Sequence, residues 1–346
     1  SAKRHEPMMT LKATSLDVAR LAGVSQSAVS RVFSGASASK STALKVRKAA
    51  DELGYRPNSL ARAMITGKSR IIGLVVAYLD NQFYPVALER LSNALKAEGY
   101  HILVFMAENA QDSISNVVEE LIDYQVDGII AASVAMSSDL TQRCAVAGIP
   151  VVMFNRGQDG SGHSSITSAN IEGGRRVADF LVRAGHKRIA HIAGWDGSST
   201  GRDRRRGFCD GLAEHDCAPL AIIDGMFNRD VASEAARVLM ARADAPDAIF
   251  VGNDHMAFAV MDMLRHELGL RVPQDLSVIG YDDVPLAEWA AYDLTTVRQP
   301  VRRMVEATVE TLIGKIEDPE RPTQKIEIDG PLIARGSARK PEGWTQ

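Results

Sequence analysis

The chain has 346 residues, 45% of them apolar and 24% charged, which is enough to bury a sizeable core in more than one folding unit. Its longest apolar run, IIGLVVAYL at 71–79, is far shorter than the ~20 residues of a membrane span and suits a buried strand. Three cysteines without CxxC spacing and eight histidines without HExxH argue against a disulfide or metal framework, so neither metal nor cofactor is expected.

Charge is unevenly placed. Residues 1–68 carry twelve Lys and Arg against four Asp and Glu, a net +8, while the whole chain is −3 and the remainder therefore −11. A basic segment on an acidic body suits a polyanion as partner of the first segment. The opening SAKRHEPMMTLKA has basic residues with no apolar stretch behind them, so it reads as an arm rather than a secretory signal, and a cytoplasmic location is expected.

Three short helices are expected next. Thr14 caps SLDVARLAG, with Asp17 in the first turn and Gly23 reversing the chain. Ser25 caps a second helix whose Val29, Val32 and Phe33 form the buried stripe, and Ser39 begins a third in which Leu44, Ala49 and Leu53 point inward. Two helices joined by a glycine turn form the helix-turn-helix arrangement, a spacing that any small helical domain can also show; Gln26, Ser27, Ser30 and Arg31 are left pointing out, where they can reach base edges. After YRPNSLARAMITGKSR, apolar runs (IIGLVV, HILVF, DGIIAA, PVVMF, RIAHIAG, DAIFVG, LSVIGYDD) alternate with amphipathic helices. That pattern indicates parallel, doubly wound sheets, and about 275 residues of it indicate two α/β lobes.

The stretches TSLDVARLAGVSQSAVSRVFS, KVRKAADELGYRPNSLARAM and IIGLVV resemble the LacI/GalR family of transcriptional regulators. The resemblance continues in collinear order through NQFYP, VDGII, GIPVVMFNR, GHKRIAHIAG, IFVGNDHMA, LRVPQDLSVIGYDD and LTTVRQP. It implies a helix-turn-helix headpiece over 12–56, a hinge helix and linker over 57–70, and a two-lobed, periplasmic-binding-protein-like effector domain with parallel sheets over 71–340. Crossovers between lobes are expected near 165–170, 296–299 and 322–326. The implied partners are near-palindromic double-stranded operator DNA, a second copy of the chain and a small-molecule effector of sugar type, with no membrane. The implied function is a ligand-responsive regulator, a repressor rather than an activator.

Carried over residue by residue, Gln26, Ser27 and Arg31 are the base readers, and Thr14, Ser25 and Ser30 suit phosphates. Asn58, Ala61 and Met64 match the hinge helix, with Met64 standing where a leucine usually wedges into the minor groove. Ser15 is a second departure, from a more common aliphatic residue, and is expected to weaken headpiece packing slightly. The matching effector contacts are Tyr84, Asn155, Arg156, Ser198, Thr200, Arg204, Phe227, Asn253, Asp254, Asp282 and Gln299, with Phe83 and Trp195 as further candidates. Their amides, carboxylates and guanidiniums suit adjacent hydroxyls, and their aromatics an apolar sugar face.

Two other classes compete. Gly197-Ser198-Ser199-Thr200-Gly201 matches the GxSxG elbow of a serine hydrolase, but Trp195 and Asp196 stand between the strand and that motif. A stand-alone sugar-binding receptor would share the two lobes and lack the basic headpiece.

Overall fold

A computed structural model describes residues 12–57, 67–107, 111–160 and 162–345. Asn58, Ala61 and Met64, and with them the hinge-helix expectation, lie outside the described residues, as does the arm up to residue 11. By internal contacts the chain divides into two units, residues 1–69 and 70–346.

The first unit holds α1 (Ser15–Ala22), α2 (Gln26–Ser34) and α3 (Lys40–Glu52). Each start is capped by a hydroxyl. Thr14 accepts from the Asp17 amide while Asp17 accepts from the Thr14 amide, and Ser25 and Ser39 accept from the amides of Ala28 and Thr42. Gly23 ends α1 in the left-handed region at φ 65°, and its N–H returns to the Ala19 carbonyl. Val18, Ala19, Val29, Val32, Val46, Ala49 and Ala50 form the core. Leu44 and Leu53 do not point inward as expected; they are 70% and 37% exposed. The inward stripe of α3 runs through Val46, Ala49 and Ala50, and Leu44 lies about 200° round the helix from Val46.

In the second unit β1 (Ile71–Val76), β2 (His101–Met106), β3 (Gly128–Ala132), β4 (Val151–Phe154), β5 (Ser164–Ser168) and β11 (Lys325–Ile328) form an all-parallel sheet in the order β11-β5-β4-β3-β1-β2. The second sheet contains β6 (Ile189–Ala193), β7 (Ile222–Asp224), β8 (Ala248–Val251), β9 (Ser277–Asp282), β10 (Thr295–Arg298) and β12 (Leu332–Ile333). Its order is β12-β10-β9-β8-β6-β7, parallel except for β12 against β10. The connecting helices are α4 (Phe83–Ala97), α5 (Gln111–Asp123), α6 (Ser138–Val146), α7 (Asn170–Arg183), α8 (Ser199–Ala213), α9 (Arg229–Met240), α10 (Asp254–Asp262) and α11 (Val301–Glu317).

Strands such as VVMF, IAHIA and AIFV are buried along their whole length, which is why they read as unbroken apolar runs. The sequence SSITS of β5 escaped that pattern because its serines are buried polar residues. Crossings between lobes follow Ser168 and Arg298, where α7 and α11 begin two or three residues on. The third lies at 329–331 rather than 322–326, because Lys325–Ile328 is still paired in register with Ser165–Ser168 of the first lobe.

Each lobe places its second strand outside its first, giving β2-β1-β3-β4-β5 and β7-β6-β8-β9-β10. The switch points therefore lie beside β1 and β6, and ligands of open parallel sheets bind beyond the carboxyl ends at such points.

Candidate functional site

Apart from Arg204, which lies within α8, the proposed effector contacts of both lobes lie at or just after strand ends or at the helix starts that follow them. In the first lobe, Tyr84 follows β1 at the start of α4, and Asn155 and Arg156 follow β4. In the second, Ser198 and Thr200 follow β6, Asn253 and Asp254 follow β8, Asp282 ends β9 and Gln299 follows β10.

Arg204 organises the second lobe's set. It reaches the site because α7 and α8 approach until backbone meets backbone at glycines. A Cβ on Gly174 would lie 2.3 Å from the Arg204 carbonyl oxygen, and one on Gly207 would lie 1.9 Å from that of Ile171. The guanidinium is 3% exposed. Its Nε donates to Asn170 Oδ1 at 2.9 Å, one terminal nitrogen to the Gly252 carbonyl at 2.7 Å and the other to Asp282 Oδ1 at 3.2 Å. Its Cζ lies 3.8 Å from the centre of the Tyr281 ring. Asp282 Oδ1 also accepts from Gln299 Nε2 at 2.7 Å. Burial pushes the Asp282 carboxyl upward in pKa, and Arg204, then the bonds from Gln299 and from Asn81 of the other lobe, oppose it. Neither Asn170 nor Asn81 is among the expected contacts: Asn170 is a single polar residue at a helix start, and Asn81 lies in NQFYP, of which only the aromatic residues are carried over.

In the first lobe Asn155 Nδ2 donates to the Tyr84 hydroxyl at 3.0 Å, and that hydroxyl also meets Ser133 Oγ. Burial raises the Tyr84 phenol well above its usual pKa, so it stays a neutral donor and acceptor. Arg156 donates to the Ser133 carbonyl at 3.0 Å and lies 5.7 Å from the centre of the Trp195 ring across the cleft. Phe83 instead belongs to the core, 2% exposed and stacked on Phe154.

Two features set these residues apart. Asn155 Oδ1, Arg156 Nε and Gln299 Oε1 are buried polar atoms without a hydrogen-bond partner, and such atoms are costly unless something satisfies them. Among the described non-glycine residues with positive φ, Ser133, Asn155, Phe227 and Asp282 (φ 61°, 65°, 53° and 130°) gather here, as strained backbone does at ligand clamps. Beside the cleft a cavity of about 260 Å³ is lined by Asn81 and Gln82 from one lobe and His255, Phe258 and Leu286 from the other.

Other site residues serve the lobe itself. Ser198 and Asn253 cap α8 and α10, accepting from the Gly201 and Met256 amides. Asp254, wholly buried, accepts from Thr296 Oγ1 at 2.6 Å and from the Val284 amide at 3.0 Å. Burial first, and the Asp282 charge second, push its carboxyl up to about 8. Phe227 packs its ring where a Gly194 Cβ would sit. Ser199 lies in the first turn of α8, where its hydroxyl accepts from the Gly157 amide at 3.0 Å, joining the two lobes. His191 is buried in β6, bonded to the Phe250 carbonyl, and burial lowers its pKa to about 4.

In the first unit Thr14, Ser25, Gln26, Ser27, Ser30 and Arg31 are all exposed, with Val29 and Val32 on the opposite, buried face of α2. Ser15 forms a bond rather than a gap in the packing, accepting from Gln26 Nε2 at 2.9 Å.

Residues 14–58 match the description "Bacterial regulatory proteins, lacI family", and 178–338 match "Periplasmic binding protein-like domain". The chain is 33% identical to the HTH-type transcriptional repressor PurR of Vibrio vulnificus (strain CMCP6), over 95% of this chain and 99% of that protein. Among solved structures it is similar to the lac repressor dimer bound to operator and the anti-inducer ONPF, with TM-score 0.85, 27% identity and coverage of 94% and 99%. It is also similar to the transcriptional regulator CelR in complex with cellobiose, with TM-score 0.72, 30% identity and coverage of 94% and 99%. No helix of the described residues is long and apolar enough to cross a membrane, and they contain no cluster of three or more His, Cys, Asp or Glu able to hold a metal.

Proposed function

The chain belongs to the LacI family of bacterial regulatory proteins, and from that premise we propose a dimeric, cytoplasmic transcriptional repressor without catalytic activity. Its affinity for a near-palindromic operator is set by a small polyhydroxylated ligand held between the lobes. The observation that carries the ligand half is the meeting of Arg204, Asp282, Gln299, Asn155 and Arg156 at strand ends, with one unsatisfied donor and two unsatisfied acceptors buried among them. Neighbouring hydroxyls can donate and accept at once, so one sugar or polyol satisfies all three atoms. The cellobiose complex of CelR favours the same ligand class. The likeness to an operator-bound lac repressor dimer favours two headpieces on a two-fold site.

A thermal-shift screen of sugars, polyols and sugar acids, repeated with operator DNA selected from a randomised pool, tests both halves. A stabilising ligand whose effect changes with operator present is the expected result, since the two sites are thermodynamically coupled. No selected DNA site, together with ester hydrolysis abolished by Ser199→Ala, would replace this reading with the hydrolase.

A further inference from the structure

Ser15 opens α1, half-buried, where it meets the start of α2. It is not the cap of its helix, because Thr14 and Asp17 already satisfy the first amides reciprocally. What its hydroxyl does is accept a hydrogen bond from Gln26 Nε2 at 2.9 Å. Gln26 is the first residue of α2 and exposed. We infer that Ser15 is a positioning, specificity-determining residue that holds the Gln26 carboxamide in one orientation for reading a base edge. The inference rests on the assignment of Gln26 as a base reader.

The chemistry follows from the inventory of a carboxamide, which has one acceptor oxygen and two N–H groups. Bidentate contact with adenine uses the oxygen toward the N6 amino group and the adjacent N–H toward N7. The second N–H takes no part in that contact, and Ser15 is placed to accept it. Two costs of recognition are thereby reduced. An untethered glutamine would surrender its rotamer freedom only on reaching the groove, and half of its amide orientations would set donor against donor. Once water leaves the interface, the second N–H would also be buried without an acceptor, which is costlier than the bond itself is favourable. Ser27 is held in a comparable way, its hydroxyl 2.9 Å from that of the helix cap Ser25. Gln26 and Ser27, at the start of α2, are thus held before DNA arrives.

The experiment uses the full-length protein and a randomised double-stranded DNA pool, followed by competition gel shifts on the selected site with every single base-pair substitution. Gln26→Ala is expected to lose preference at one base pair in each half-site. Ser15→Ala is expected to lose preference at that same pair by roughly two- to tenfold, the worth of one neutral hydrogen bond. Binding to random DNA and the thermal midpoint of the headpiece should stay at wild type. Ser15→Thr keeps the hydroxyl and should keep the preference, and adding Ser15→Ala to Gln26→Ala should change nothing further. Full preference in Ser15→Ala, beside a loss in Gln26→Ala, overturns the role of Ser15 alone. Equal losses on selected and random DNA make Ser15 a packing residue and overturn it too. Unchanged preference in Gln26→Ala removes base reading by Gln26, and the inference falls with it.

Discussion

Asp282→Asn removes the carboxylate opposite Arg204 while nearly preserving shape. Both partners are 3% exposed and 3.2 Å apart, so the remaining guanidinium would stay buried with its charge unopposed. A buried pair of this kind contributes little net stability, because taking two charges out of water offsets their attraction. Breaking it from one side is different and typically costs about 3–5 kcal/mol. The carboxamide retains one oxygen for Gln299 Nε2, so the lower end of that range applies, equivalent to a fall of about 6 °C in midpoint for a domain this size. A double-mutant cycle with Arg204→Met, followed by denaturant unfolding, isolates the pair from the bonds Arg204 makes to Asn170 and Gly252. The expected coupling is about 1.5–3 kcal/mol. Calorimetry with the ligand found by screening should show binding weakened about ten- to a hundredfold. The headpiece is a separate unit, so operator affinity without ligand should hold. Single effects that add within about 0.5 kcal/mol would refute the pair as an energetic unit, and wild-type ligand affinity would remove Asp282 from the site.

Asp254 holds a proton in the folded protein up to about pH 8 that it loses near 3.8 when exposed. Stability should therefore fall as pH rises between those values, by up to about 1.4 kcal/mol per unit. Asp254→Asn should flatten that slope, and equal slopes in denaturation at pH 5, 6.5 and 8 would remove Asp254 as its source. Gly207→Ala forces a methyl to 1.9 Å from the Ile171 carbonyl oxygen, so α7 and α8 must separate. It should destabilise the second lobe by ~3 kcal/mol or more, whereas Ala at Gly157, where a Cβ would meet nothing nearer than 3.7 Å, should not; similar denaturation midpoints would contradict the close crossing. Arg31→Ala should cost about 1–3 kcal/mol of discrimination between selected and altered sites in gel shifts, and a loss shared equally with random DNA would leave Arg31 a phosphate contact.

What the sequence by itself determined was whatever depends on near neighbours along the chain. The three helix starts were legible because a cap bonds to an amide three residues on, and Thr14, Ser25 and Ser39 do this. The core strands were legible because burial on both faces demands an unbroken apolar run, as in Val151–Phe154 and Ala248–Val251. Where packing rather than local pattern decides, the reading failed. Leu44 is apolar and invites an inward reading, yet α3 turns its Val46 face to the core. Polar β5 became a strand only because β4 and β11 flank it and take its backbone bonds. The site shows the same division. Residue types pointed to a ligand, but only the tertiary structure brought Asn170, Arg204, Gly252, Asp282 and Gln299 to one set of hydrogen bonds. They come from five separate segments, and parallel strand order together with the glycine-lined approach of α7 to α8 sets where those segments meet. Ser15 follows the same rule: as a letter it is a small polar departure in a packed helix, and its bond to Gln26 exists only because the turn at Gly23 folds α1 back to the start of α2.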